Sequence, residues 1–225
     1  MTSLAGRPWP ELDGDPVLLV PTGSCEQHGP HLPLDTDTRI AAAVAEAAGD
    51  LVAPTIPYGS SGEHQDFPGT VSIGHDTLCA LLVEYGRSAC RWARRVLFVN
   101  GHGGNVAALS EAVRRLRYEG RDVAWFACTS PGGDAHAGHT ETALMLAIAP
   151  ETVWEERIAP GNTAPLGELM PRLRAGQLRT ASPTGVLGDP TAATAAEGAE
   201  LLGALIAALR TAMTQWSPNE HGRLP

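Results

Sequence analysis

The sequence predicts an α/β fold: a single domain with a mostly parallel β-sheet between helices. Three observations point there. Short apolar runs without polar alternation mark strands covered on both faces. Helical patterns alternate with those runs, as crossover connections between parallel strands require. The 225 residues carry no internal repeat and no long low-complexity linker, so one domain spanning residues 1–225 is expected.

Taken in order, residues Met1 to Asp15 are rich in Pro, Gly and small side chains and are expected on the surface. Val17 to Pro21 is the first strand. Thr38 to Ala48 is Ala-rich and helical, with Gly49 at the position that favours a left-handed stop. Leu51 to Ile56 reads as a second strand, and Tyr58 to Gly74 as a long loop. A helix follows from Asp76 to about Ala93, with Leu78, Leu81, Leu82 and Tyr85 on one face. Val96 to Val99 is the third strand, followed by Asn100-Gly101-His102-Gly103-Gly104-Asn105 and a helix to about Glu119. Asp122 to Cys128 is the fourth strand, and the loop Thr129 to Gly138 leads into a helix from Thr140 to Ile148. Ala159 to Pro190 is irregular and proline-rich, and Thr191 to about Thr214 forms the last helix.

Composition excludes several functions. The formal net charge is −9, with no Lys/Arg cluster to offset it, which disfavours nucleic acid. The four cysteines form no C-x-x-C pair and read as buried free thiols. No leader pattern opens the chain and no apolar run reaches membrane-spanning length, so a soluble cytoplasmic protein is expected.

Ligands of open α/β sheets collect beyond the carboxyl ends of the strands. Glu26 and His28 follow strand one, Asp37 enters the first helix, His102 follows strand three, and His136, His139 and Glu141 follow strand four. Residues two apart in an extended segment face the same way, so Glu26 and His28 can address one centre. Asp37 has two oxygens and can bridge two metals. Taken alone, Asp37 reads as a helix cap and Glu141 as an acid favouring a helix start, while Asp35 reads as a loop or cap acid. Their joint placement argues instead for carboxylate and imidazole ligation of zinc, iron, manganese or cobalt. Two such ions activate water and polarise a carbonyl, which suits amide hydrolysis. His31, Glu63 and His64 are candidates for the surroundings of that centre. The glycine turn around His102 lacks both nucleotide-binding spacings. Cys25 lies beside acids rather than the positive charge a nucleophilic thiolate needs.

Together these segments resemble the creatininase family of metal-dependent amidohydrolases. The likeness rests on Gly23 to Pro33, Asp37, Ser61-Gly62-Glu63-His64 with Phe67-Pro68-Gly69-Thr70, Asn100 to Asn105, and His136 to Thr142. It implies a three-layer sandwich, a homo-oligomer, and metal positions at Glu26, His28, Asp37 and His102, with Asp37 bridging. It also implies that His136 moves a proton. Within the family, Leu81 to Ser88, Pro131 to Asp134 and Thr184 to Gly198 resemble a peptidase branch that matures a ribosomally made redox cofactor. That likeness implies a modified precursor peptide as substrate, cut ahead of a cross-linked C-terminal Val-Tyr. A small-molecule amidohydrolase acting on a cyclic amide or formamide is the alternative. Two departures matter. Creatininases proper carry a glutamate ligand where this chain has Gly104, and many relatives carry an acid where it has His139. Glu141 and His139 are thus both candidates for the fifth ligand, with Glu141 favoured, and His139 joins His136 as a catalytic candidate.

Overall fold

The computed structural model describes residues 3–225 other than Asp13, Asp50 and Pro131. Met1, Thr2 and Asp13 of the expected surface segment, and Pro131 of the loop after the last strand, lie outside the described residues. The remainder of that N-terminal segment makes short 3-10 turns on the surface.

Three parallel strands form the sheet in the order β1-β2-β3: β1 Val17–Thr22, β2 Arg95–Asn100 and β3 Val123–Ala127. The helices are α1 Thr36–Ala48, α2 His75–Ala89, α3 Val106–Tyr118, α4 His139–Ile148, α5 Leu166–Arg174, α6 Leu178–Ala181 and α7 Ala195–Gln215. Alternation along each strand sorts its side chains into two layers. Leu18, Val20, Val96, Phe98, Val123 and Trp125 pack with the apolar faces of α2 and α3. Leu19, Leu97, Val99, Ala124 and Phe126 pack with Ile40 and Val44 of α1, Leu144 and Met145 of α4, and Leu205 and Leu209 of α7. The sheet is thus covered on both faces, which explains its uninterrupted apolar runs.

The expected strand at Leu51 to Ile56 is not a strand. It touches β1 only through isolated bridges, Leu19 to Val52 and Thr22 to Ile56. Leu19 exchanges bonds with Leu51 and Ala53, but Pro21 has no N–H to continue the ladder. The segment resumes one residue out of step, with the Ile56 N–H reaching the Pro21 carbonyl. At the opposite edge the C-terminal segment bonds to β3, Trp125 N–H to Gly222 and Leu224 N–H to Trp125.

Other boundaries differ for local reasons. Gly49 ends α1 with extended backbone (φ −121°, ψ 164°), not left-handed. A Cβ there would lie 2.7 Å from Leu19 Cδ2, so close packing is what requires glycine. Helix α2 ends at Ala89 rather than Ala93. Asp189 holds Thr191 in a side-chain turn, so α7 begins only after Thr194, whose hydroxyl accepts from Glu197 N–H at 3.2 Å. The stretch Ala159 to Pro190 is not irregular throughout. It contains α5 and α6, with Leu169 and Leu178 buried in a satellite cluster with Leu187. Among the described residues, no helix is long and apolar enough to cross a membrane.

Candidate metal centre

The carboxyl ends of β1 and β2 carry the centre. Beyond Thr22 the chain leaves the sheet, and the Glu26 N–H is pinned to the Leu34 carbonyl at 2.9 Å. Asp37 sits in the first turn of α1, while Asp35 occupies the N-cap position without a capping bond and pairs with Arg39 at 2.7 Å. Gly101 lets the β2 turn pass α1 closely, since a Cβ there would lie 2.3 Å from the Asp37 carbonyl oxygen. Asn105 and Asn100 brace this turn. Asn105 donates to the Gly23 carbonyl at 2.9 Å and to Asn100 Oδ1 at 3.1 Å, and Asn100 donates to the His102 carbonyl at 2.7 Å.

These elements bring Glu26, His28, Asp37, His102, His136 and Glu141 together. Asp37 faces an imidazole with each oxygen: Oδ1 lies 3.2 Å from His28 Nε2 and Oδ2 lies 3.1 Å from His102 Nδ1. Glu26 Oε2 is 3.2 Å from His102 Nε2, while Oε1 is 3.5 Å from His64 Nε2 and 3.8 Å from His136 Nδ1. Glu141 Oε2 is 3.8 Å from His28 Nε2. Ligand atoms fall into three groups, each within 4.8 Å: Glu26-Asp37-His102, His28-Asp37-Glu141 and Glu26-His28-His136. Glu26, His28 and Asp37 each belong to two of them. Glu141 also accepts the Ala137 N–H at 2.6 Å, so its helix-start role and its place in the cluster coexist.

The residues fit divalent cations. Glu26 is fully buried, and neither of its carboxylate oxygens has a hydrogen-bond partner. A buried acid without donors is costly unless a cation supplies the missing charge. Burial, with Asp37 nearby, pushes Glu26 up to about 7 against the pull of His102 and His28. Burial likewise raises Glu141 to about 7. Burial opposes the charge of His28 and His102, yet the facing carboxylates lift both to about 10. Asp37 goes the other way: although burial opposes its charge, His28 and His102 hold it well below the usual carboxylate value, so the protons gather on Glu26, Glu141 and the two imidazoles wherever metal does not neutralise the cluster.

His136 follows β3. Ala137 holds a left-handed backbone (φ 50°), and Leu187 bonds back to His136 across an antiparallel bridge, N–H to carbonyl at 2.8 Å. His136 Nε2 lies 2.8 Å from the Gln27 carbonyl. The Gln27 side-chain nitrogen lies 2.9 Å from the same Nε2, so an acceptor and a donor of Gln27 both face that ring nitrogen, while Nδ1 lies 3.8 Å from Glu26 Oε1. Burial, followed by the charges of His28 and His64, holds its pKa well below the usual histidine value.

His139 does not join the cluster. Its Nε2 pairs with Glu197 of α7 at 3.5 Å, in an open surface cavity of about 470 Å³ that also borders Glu200 and Leu201. It is the first residue of α4, and its N–H is held by Asp134, so the ring projects toward α7. This corrects its expected place beside His136 and leaves Glu141 as the acid on that side. His64 packs against His136 with ring centroids 4.4 Å apart, and His31 donates to or accepts from Thr142 Oγ1 at 2.8 Å. Cys25 Sγ lies 3.7 Å from the Gly69 carbonyl, away from the cluster's ligand groups.

Gln27 is the residue that sequence reasoning passed over. Its side-chain nitrogen lies 3.0 Å from His64 Nδ1 and 3.3 Å from the Gly185 carbonyl, and its Oε1 accepts from Gly29 N–H. The only signal was its position between two ligands in an extended segment, which points it to the opposite side.

The creatininase family model, described as creatinine amidohydrolase, matches residues 7–213. The chain belongs to the creatininase family. It is 55% identical to the mycofactocin precursor peptide peptidase of Mycolicibacterium smegmatis over 93% of this chain and 89% of that protein. It is 34% identical to the creatinine amidohydrolase of Pseudomonas putida, over 70% of this chain and 75% of that one. A crystal structure of creatinine amidohydrolase superposes with a TM-score of 0.79 at 28% identity, covering 97% of this chain and 98% of that one. Solved creatininases include a form with Mn and a mutant described as Zn-Zn type. The creatininase family is one of amidohydrolases, and the three-layer arrangement here is its fold.

Proposed function

We propose that this creatininase-family protein is a two-metal peptidase that cleaves the modified mycofactocin precursor peptide ahead of its cross-linked C-terminal Val-Tyr. The observation that carries the reading is Asp37, one buried carboxylate whose two oxygens face different imidazoles, His28 and His102. Its likeness to a mycofactocin precursor peptide peptidase over 93% of the chain supports the substrate. Glu26, Asp37 and His102 would hold one ion, and His28, Asp37 and Glu141 the other, with zinc or iron favoured and manganese suitable. When bound, such ions lower the pKa of water and polarise the scissile carbonyl.

The chain's own groups complete the chemistry. His136 Nδ1, unprotonated and facing Glu26, takes a proton from the attacking water and delivers it to the departing nitrogen, without which an amine leaves poorly. The step requires the tautomer with its proton on Nε2, donated to the Gln27 carbonyl at 2.8 Å. His139 has no part in it. We further read residues 1–225 as one cytoplasmic domain working in a homo-oligomer. Exposed Tyr58, Val71 and Val106 suit a subunit contact, which light scattering checks.

The decisive experiment incubates metal-loaded protein with the modified precursor peptide and, separately, with creatinine and a formamidopyrimidine. Release of the Val-Tyr-derived fragment by mass spectrometry is the expected result. Turnover of a small amide alone would transfer the assignment to a small-molecule amidohydrolase. His136→Ala should lower turnover by roughly 10²–10⁴-fold, with both ions retained by elemental analysis.

A further inference from the structure

Glu63 stands apart from every acid discussed so far. It lies in the 3-10 turn Gly62–His64, and its side chain keeps 31% of its surface in solvent. Its Oε1 is 4.0 Å from His64 Nε2, which in turn lies 3.5 Å from Glu26 Oε1. On its other side is the bare Cα of Gly104. A Cβ on residue 104 would lie 2.3 Å from the Ser60 carbonyl, 2.4 Å from His102 Nε2 and 3.0 Å from Glu63 Oε1. Only glycine at 104 leaves room for the Ser60–Glu63 turn to close on the centre, and that turn places a carboxylate at its outer edge.

This carboxylate faces no lysine or arginine among the described residues, and its neighbours His64 and His102 are already committed. His64 Nδ1 takes the Gln27 amide, and His102 is flanked by Asp37 and Glu26. Glu26, Asp37 and Glu141 face the two ion positions from inside the cluster, whereas Glu63 stands at its solvent edge, outside all three ligand groups. His64 stacks on His136, which puts Glu63 on the same side of Glu26 as the proton carrier. The nitrogen half of the scissile amide must lie on that side.

We propose that Glu63 is a specificity residue that holds the nitrogen side of the cleaved bond, accepting from the amide N–H before cleavage and from the primary amine afterwards. Glu63 forms no bond to the reacting carbon and moves no proton. The proposal rests on the peptidase reading, because Val-Tyr is the fragment whose amine it would hold.

The test uses metal-loaded protein and calorimetric titration with the dipeptide Val-Tyr and with N-acetyl-Val-Tyr, which lacks the amine. Wild type should bind Val-Tyr at least about tenfold more tightly than the acetylated form, in line with the worth of a charge-assisted bond. Glu63→Gln should erase that preference while retaining both ions and the wild-type melting temperature. Its KM for the modified peptide should rise more than its kcat falls. Equal binding of the two dipeptides by wild type, or an unchanged preference in Glu63→Gln, would overturn the proposal. Loss of an ion in the variant would also overturn it, by making Glu63 a metal ligand. Failure of the peptidase reading is separate: it would be seen as no cleavage of the modified peptide by wild type.

Discussion

The two sides of the candidate metal centre are built by different means. Glu26, His28, Asp37 and His102 hang from β1, β2 and the first turn of α1, where ladder bonds and short turns fix them. His136 and Glu141 arrive after β3 through a loop with a left-handed Ala137, and His136 is bridged to Leu187, about fifty positions later in the chain. The first side is set by local geometry and the second by packing at a distance. A ligand held by its own strand tolerates change elsewhere, whereas one held by a remote segment does not.

Asp37 serves both sides, so its loss should be the largest effect. Asp37→Ala is expected to release both ions and abolish turnover, read by elemental analysis and peptide cleavage. Retention of one ion would mean that the two groups are independent. Next, Gly185→Ala strikes the point where the remote segment meets Gln27. Gly185 has φ 82°, and a Cβ there would collide with Gln27 Oε1. Turnover should fall by about 10–100-fold, the usual cost of disturbing outer partners of a metal site. The ion held by Glu26, Asp37 and His102 should stay.

Acid sharpens the comparison more gently. Burial, with the charge of His28 added, holds His31 down at about 4. The unfolded chain therefore binds a proton that folded His31 refuses, and the stability His31 contributes is complete above about 6.5 and lost as pH falls toward 4. The stability gap between wild type and His31→Gln, measured by urea unfolding of metal-free protein, should shrink by on the order of 2 kcal/mol across that window. The smallest effect belongs to His139→Gln. The half-exposed pair with Glu197 should cost less than about 1 kcal/mol and leave turnover within about twofold.

What could be read from the sequence follows the same division. Glu26 and His28 share an extended segment after an apolar run, and Asp37 and His102 open helices, so residue type and spacing sufficed. His139 misled because its sequence neighbours, His136 and Glu141, do face the centre. The order of residues cannot tell that Asp134 captures the His139 N–H and turns the ring toward α7. Gln27 was hidden for a related reason, since its partners His64, His136 and Gly185 are brought near only by folding. At Leu51 to Ile56 the apolar pattern was right about position but wrong about pairing. The missing N–H that breaks the ladder belongs to Pro21 on the neighbouring strand.

Both margins of the sheet are already bonded to the protein's own backbone, by residues 51–56 beside β1 and 222–224 beside β3. An extended polypeptide arriving from solution would have to displace these segments to pair with β1 at Leu19 and Pro21 or with β3 at Trp125. This suits an enzyme that trims one end of its partner and leaves the rest unread.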